Sequence, residues 1–267
     1  MTQTVLITGT SSGMGRELTA QFAHRGWNVV ATTRSAASRT DVHQLPGVVA
    51  TDLDVTDPAR ARQVVAEALD RFGAIDVLIN NAGFAQLGAL EEIDLDGWRA
   101  QYETNVFGLV SVTRAVLPSM RTRRAGHIIL MSSMIGHVSL PTMTAYASSK
   151  FAVEGVGEGL AKEVAPLGIN VTIAEPAGFG TSFSSNARPA PHPIEDYEAA
   201  RQAMRDFAAH SVRGDLQRSM SAIADIAGTP QPPRRLAVGS YGLEMVRGKM
   251  TELAADYDTW EHVTITT

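Results

Sequence analysis

No cysteine occurs among the 267 residues. That absence excludes a disulfide scaffold, a thiolate zinc site, an iron–sulfur cluster and a cysteine nucleophile together. Lysine is scarce, with Lys150, Lys162 and Lys249 the full complement. Acids outnumber bases, 28 to 23, so the formal net charge of −5 provides no global positive field for nucleic acid. No stretch reaches the apolar length of a membrane helix. The chain passes from Met1 into the apolar run Val5-Leu6-Ile7 without a basic leader or a small-residue cleavage site. These features predict a cytoplasmic protein with no nucleic-acid or membrane partner. The seven histidines show no pair at metal-ligand spacing on one helix face, so no metal is expected and the histidines read as structural.

What remains is enough for a sizeable core. Hydrophobic residues make up 44% and charged residues 19%, which places the chain among globular proteins and away from disordered tails. Short, mostly apolar β-rich runs at 4–8, 28–32, 48–51, 75–79, 127–132, 170–175 and 235–238 alternate with helical patterns at 13–25, 58–72, 95–121, 144–166 and 212–227. Such alternation predicts an α/β fold: a doubly wound, parallel seven-stranded sheet of the Rossmann type, flanked by helices. Asp57-Pro58 is a strong start signal for the second helix. No repeat or linker divides the chain, so 1–267 is expected to form a single domain. Within it, 182–210 breaks the alternation with Pro189, Pro191 and Pro193 and is expected to be a substrate-loop excursion, a lid. The segment 241–257 reads as a closing helix.

Thr8-Gly9-Thr10-Ser11-Ser12-Gly13-Met14-Gly15 follows the first strand and opens the first helix. A pyrophosphate sits at a helix N-terminus only where the turn is tight and the backbone approaches without a Cβ, which glycines permit. By itself the loop is also consistent with a structural turn. The second strand ends in Ala31-Thr32-Thr33-Arg34-Ser35, with no acid before Asp41 to take ribose hydroxyls. A guanidinium at Arg34 suits a 2′-phosphate, so NADP(H) is preferred and NAD(H) is the second candidate, although a solvated loop arginine has the same sequence.

Tyr146 and Lys150 are four residues apart at the start of a long helix and therefore share a face. An ammonium beside a phenol stabilises the phenolate, which lets the pair exchange a proton with a substrate oxygen. An exposed Tyr/Lys pair is nevertheless commonplace. The set is not: the glycine loop, Asn80-Asn81-Ala82-Gly83, Ser132-Ser133 and Tyr146-x-x-x-Lys150 occur in that order over about the first 180 residues. In this the sequence resembles the short-chain dehydrogenase/reductase family.

The resemblance implies roles. Tyr146 is the general acid or base, Lys150 holds the nicotinamide ribose and lowers the tyrosine pKa, Ser133 binds the substrate oxygen, and Asn105 anchors a water beside the lysine. Cofactor contacts are implied for Gly9, Ser11, Ser12, Gly13, Met14, Gly15, Arg34, Asp54, Asn81, Ala82, Gly83, Pro176, Gly178 and Thr181, besides Tyr146 and Lys150. Asp54 meets the adenine amino group, and Thr181 the carboxamide. Ala177 departs from the family's usual Pro-Gly and puts that loop's geometry in doubt.

The expected activity is interconversion of a carbonyl and an alcohol. Loops after the fourth to sixth strands offer Phe84, Met134, Ile135, Met143, Phe179 and Phe183, with His137, Gln86 and Ser139 as polar members, so a medium-sized hydrophobic small molecule is the expected partner. The alternative is a non-catalytic NAD(P)-binding sensor on the same fold. Small residues on the helices 95–121 and 144–166 also fit a homodimer or homotetramer, as in the family, or simply close packing on the sheet.

Overall fold

The structure is a computed structural model that describes residues 2–179, 187–212 and 214–265. In chain order its strands are β1 (Thr4–Ile7), β2 (Asn28–Thr33), β3 (Val48–Asp52), β4 (Val77–Asn80), β5 (Gln86–Leu87), β6 (Gly126–Met131), β7 (Ile169–Pro176), β8 (Arg188–Pro189) and β9 (Arg235–Val238). Its α-helices are α1 (Gly13–His24), α2 (Pro58–Phe72), α3 (Leu95–Tyr102), α4 (Leu109–Arg123), α5 (Thr144–Val164), α6 (Glu198–His210), α7 (Leu216–Ala227) and α8 (Ser240–Thr264). Seven strands form one parallel sheet in the order β3-β2-β1-β4-β6-β7-β9. The order reverses between β1 and β4, and ligands of open α/β sheets bind outside the strand C-termini at such a reversal.

Strands covered on both faces explain the near-continuous apolar runs. Leu6, Val30, Leu78, Ile128 and Leu130 turn toward α2, α4 and α5, while Val5, Ile7, Val29, Ile79 and Ile129 turn toward α1 and α7. A third cluster lies beyond the strand ends and joins Ala85, Met134, Ile135, Tyr146, Ala147, Ala177 and Val246, with Leu140, Met143, Phe207 and Met245 packed on it. The Asp57 carboxylate caps α2 by accepting from the Ala59 and Arg60 amides at 2.9 and 3.0 Å, with Pro58 in the first turn as the sequence indicates.

Three elements differ from the sequence expectation. The helix expected over 95–121 is interrupted by a π-helical turn at Glu103–Gly108, between α3 and α4. The helix expected from 212 begins at Leu216, because Asp215 caps it by accepting from the Arg218 amide at 3.0 Å. The closing helix runs on to Thr264. A second, two-stranded parallel sheet pairs β5 with β8, too short to leave a periodic signal. Among the described residues no helix is long and apolar enough to cross a membrane.

Candidate active site

At the β1–α1 turn, two glycines are required by close approach. Gly9 has φ +71°, and a Cβ on it would lie 2.8 Å from the Ala82 Cα; a Cβ on Gly15 would lie 2.2 Å from the Gly9 carbonyl oxygen and 2.5 Å from Asn81 Nδ2. Asn81 explains the crowding: its amide donates to the Thr8 and Gly9 carbonyls, both at 2.9 Å, while the Thr8 hydroxyl accepts from the Asn81 and Ala82 amides at 3.0 Å. The glycine loop is thus stitched to the segment after β4. Gly13, Met14 and the half-buried Ser11 and Ser12 form the mouth of α1. Ser12 is its N-cap without a side-chain cap bond, and the first turn holds no acid. The positive end of the helix is left for an anion.

Around the end of β2, Arg34 is exposed and the Thr33 hydroxyl donates to the Ser35 carbonyl at 2.9 Å. Two further guanidinium groups lie on this side: Arg39 pairs with Asp52 at 2.8 Å, and Arg16 grips Asp41 at 2.7 Å. Exposed Asp54 accepts from the Thr56 amide and hydroxyl through one carboxylate oxygen. His43, not singled out in the sequence, is buried against the loop with Nε2 2.8 Å from the Thr10 hydroxyl, and burial lowers its pKa.

The Tyr146, Lys150, Ser133 and Asn105 side chains, drawn from three parts of the chain, are all buried and close together. The Ser133 hydroxyl lies on the Tyr146 side and favours the ionised phenol. It also lies 3.4 Å from the Pro176 carbonyl, which accepts from it, and 3.2 Å from the Ile135 amide, which donates to it. Lys150 Nζ donates to the Met131 carbonyl at 2.7 Å and sits 5.8 Å from the centroid of the Tyr146 ring. Burial raises the Tyr146 pKa, with the Ser133 hydrogen bond opposing it. Burial also brings Lys150 down to about 8, against the support of Glu154. Burial thus favours the protonated Tyr146 phenol.

Asn105 lies in the π-helical turn, which gives a helix side chain an unusual aim. Its Oδ1 accepts from the Phe84 amide at 3.1 Å, and its Nδ2 donates to the Phe84 carbonyl at 3.0 Å and to Ser149 Oγ at 3.2 Å. A Cβ on Gly83 would press on it at 3.1 Å. One turn earlier, buried Gln101 completes the same loop by accepting from the Gln86 amide and donating to the Phe84 carbonyl.

The loop after β7 accounts for Ala177. Its methyl sits where Cβ atoms on Gly242 and Gly239 would come within 3.0 and 3.1 Å, so glycines of the β9–α8 junction make room for it. Gly178 is exposed and Thr181 lies outside the described residues.

Several expected pocket residues point elsewhere. Phe179 packs with the α1 and α7 core and bridges to Gly214, so it does not join the cluster around Tyr146. Gln86 is committed to Gln101 and to the Pro189 carbonyl at 3.4 Å, and Phe84 lies beneath the Arg188 guanidinium at 4.2 Å. Ser139 is exposed, and Phe183 lies outside the described residues. Met134, Ile135 and Met143 do join the cluster.

His137 turns into a charged group that sequence spacing does not reveal, because its members come from four elements. His137 Nε2 lies 3.2 Å from Glu175 Oε1 and 3.6 Å from Glu154 Oε2. Arg235 contacts Glu154 and lies 3.1 Å from Glu175. Three ligand-type atoms lie within 4.8 Å of one another here, but the Arg235 guanidinium already supplies a cation between the two carboxylates. Burial resists the Glu175 charge, yet His137 and Arg235 hold its carboxyl below the usual range, while the hydrogen bond to Glu175 raises His137. Burial pushes Glu154 up. A Cβ on Gly136 would meet Ser132 Oγ at 2.7 Å and Glu154 Oε1 at 3.1 Å, so Ser132 faces this group while Ser133 faces Tyr146.

Comparison with known proteins matches this geometry to a family. The family model for short chain dehydrogenase matches residues 3–192. An oxidoreductase of Botryotinia fuckeliana is 36% identical over 272 aligned positions, covering 99% of each chain. A solved short-chain dehydrogenase from Streptomyces avermitilis superposes with a TM-score of 0.92 at 35% identity, covering 100% of this chain and 99% of that one. Two further solved structures are Burkholderia enzymes, a short chain dehydrogenase of B. cenocepacia in complex with NADP (TM-score 0.74, 26% identity, 97% of each chain) and a short chain dehydrogenase/reductase of B. phymatum in complex with NAD (TM-score 0.82, 24% identity, 96% and 95%). With this Rossmann-type sheet and a family match over most of its length, the chain belongs to the short-chain dehydrogenases, a family of oxidoreductases.

Proposed function

We propose that the protein is an NADP(H)-dependent oxidoreductase that interconverts a carbonyl and an alcohol on a medium-sized hydrophobic molecule, with Tyr146 as general acid and base. One observation carries the reading: Tyr146, beside Ser133 and backed by Lys150, belongs to an apolar cluster with Met134, Ile135, Ala177 and Val246. A pure nucleotide sensor needs no buried phenol beside such a surface, which ranks that alternative second.

A nicotinamide dinucleotide fits the residues present. The uncapped, acid-free start of α1 suits its pyrophosphate, and Arg34, with Ser35 beside it, suits a 2′-phosphate. NAD(H) lacks that phosphate and is the second candidate; the Burkholderia structures hold NADP in one case and NAD in the other. The residues that would hold the cofactor are Gly9, Ser11, Ser12, Gly13, Met14 and Gly15 at the phosphates, Asp54 at the adenine, and Asn81, Ala82, Gly83, Pro176 and Gly178 at the ribose and nicotinamide side; Thr181, implied by the family resemblance for the carboxamide, lies outside the described residues. When bound, the cofactor supplies or accepts a hydride at the substrate carbon.

In the reducing direction negative charge gathers on the substrate oxygen as the carbon is reduced. Ser133 and Tyr146 direct two hydrogen bonds at that oxygen, and the Tyr146 hydroxyl gives up its proton. Lys150 carries a positive charge next to the resulting phenolate, and Asn105, through Ser149 and the Phe84 backbone, fixes the polar route behind it. Oxidation runs the same transfers backwards. In the described part of the expected lid, 187–210, α6 packs Phe207 on the cluster and is tied down by Arg201 to buried Glu92, which also accepts from the Ile194 and Ala89 amides at 2.7 Å. Exposed Phe107 and Phe151, beside α4 and on α5, fit a two-fold pairing of subunits through these helices.

A panel of carbonyls and alcohols, followed by nicotinamide absorbance with each cofactor, tests the proposal. Turnover of apolar ketones, aldehydes or secondary alcohols with NADP(H) is expected. Binding of nucleotide without turnover of any panel member favours the sensor, and an essential phosphate or coenzyme A group on the best substrate contradicts the apolar pocket.

A further inference from the structure

Among the described residues, helix α8 is buried against the body at its beginning, where Gly242 and Val246 are its buried residues. Every residue from 251 to 265 is exposed. This run extends about 20 Å, and a helix of such length is marginal in water without something packed on it.

Its apolar residues are not scattered. Leu243, Val246, Met250, Leu253, Tyr257 and Trp260 follow alternating spacings of three and four, the pattern of a coiled-coil seam. Met250, Leu253, Tyr257 and Trp260 are 53%, 40%, 76% and 63% exposed and lie on one face, where contiguous apolar exposure marks a contact surface. Among the described residues the outer part of the seam, from Met250 to Trp260, stays exposed, whereas Val246 belongs to the cluster around Tyr146.

Charge decides what the partner is. The positions flanking the seam are basic near the body, at Arg247 and Lys249, and acidic near the tip, at Asp256 and Glu261. A lipid surface selects helices with a basic polar face, the opposite of this tip. A second copy laid parallel sets acids against acids. Laid antiparallel about an axis between Thr251 and Glu252, it places Met250 against Leu253 and brings Lys249 beside Asp256 on both sides of the two-fold axis.

We propose that the exposed seam of α8 is the docking surface for α8 of a second copy of this chain, packed antiparallel. This contact is separate from the α4 and α5 faces, so the two together produce a tetramer and α8 alone a dimer. Because the chain has no cysteine, the register is directly readable by cross-linking. In a Lys249→Cys/Asp256→Cys variant the two thiols of one helix are about 10 Å apart along the axis, beyond disulfide reach within the chain.

Mild oxidation of that variant is expected to convert most of the protein to a covalent dimer on a non-reducing gel. A control pair of the same spacing on the outer face, Thr251→Cys/Asp258→Cys, is expected to remain uncross-linked. Leu253→Glu is expected to halve the mass measured by light scattering while circular dichroism shows an intact fold. Equal cross-linking of the two pairs, no cross-linking of the first, or an unchanged mass for Leu253→Glu overturns the proposal. So does a wild-type monomer that sediments with phosphatidylcholine vesicles.

Discussion

Lys150 and Glu154 lie one helical turn apart on the buried face of α5, and the Glu154 charge supports the Lys150 ammonium against the burial that brings it down to about 8. Arg235 holds the same carboxylate from the far side. The charge on the lysine beside Tyr146 is thus coupled to a group that reaches, through Glu175 and His137, into the loops on either side of the site.

The consequence is a pH effect with a defined sign. Lys150 works as an ammonium, which is lost as pH rises through its pKa. Removing the Glu154 charge by Glu154→Gln lowers that pKa further, so the alkaline limb of kcat/KM is expected to move down by about one pH unit. Glu154→Asp keeps the charge and is expected to restore most of the wild-type profile. A profile that scales down uniformly in Glu154→Gln, without moving, shows a purely structural role.

Arg34 is expected to determine cofactor choice. Arg34→Ala should weaken NADPH binding roughly 10- to 100-fold, the worth of a charge-assisted hydrogen bond, and leave NADH binding unchanged. Fluorescence titration of both nucleotides against both proteins checks this. Tighter NADH than NADPH binding by the wild type, or equal NADPH affinity in the variant, assigns that region to NAD.

The Ala177 contact predicts a stability exchange. Gly242→Ala introduces a methyl into space the Ala177 methyl occupies and is expected to cost about 1–3 kcal/mol in denaturant unfolding. Adding Ala177→Gly in the same chain reopens the space and is expected to recover most of the loss. Additive effects of the two changes indicate that the loops do not share this volume.

Much of the architecture was legible because its signals are local. Buried parallel strands read as short apolar runs, and Asp57-Pro58 marks the start of α2 wherever it occurs. The π-helical turn around Asn105 left no such mark: Val106 and Leu109 keep a helical apolar spacing through it, and the change is in hydrogen bonding alone. The His137, Glu154, Glu175 and Arg235 group was hidden for a different reason, since β9 and α5 are far apart in sequence and meet only through the sheet order. Phe179 was misassigned because the direction of a loop side chain is set by its neighbour Gly214, whose missing Cβ admits the ring. Sequence likewise gave no reason to connect Ala177 with glycines more than sixty residues later.

Single-turnover kinetics of Tyr146→Phe measure most directly whether Tyr146 is the proton donor. Phenylalanine keeps the ring in its apolar surroundings and removes only the hydroxyl that Ser133 engages. NADPH affinity and thermal unfolding are expected to stay near wild type, while the rate of carbonyl reduction on an established substrate falls about 10²- to 10⁴-fold. A variant that binds NADPH and reduces the substrate at close to the wild-type rate contradicts the assignment.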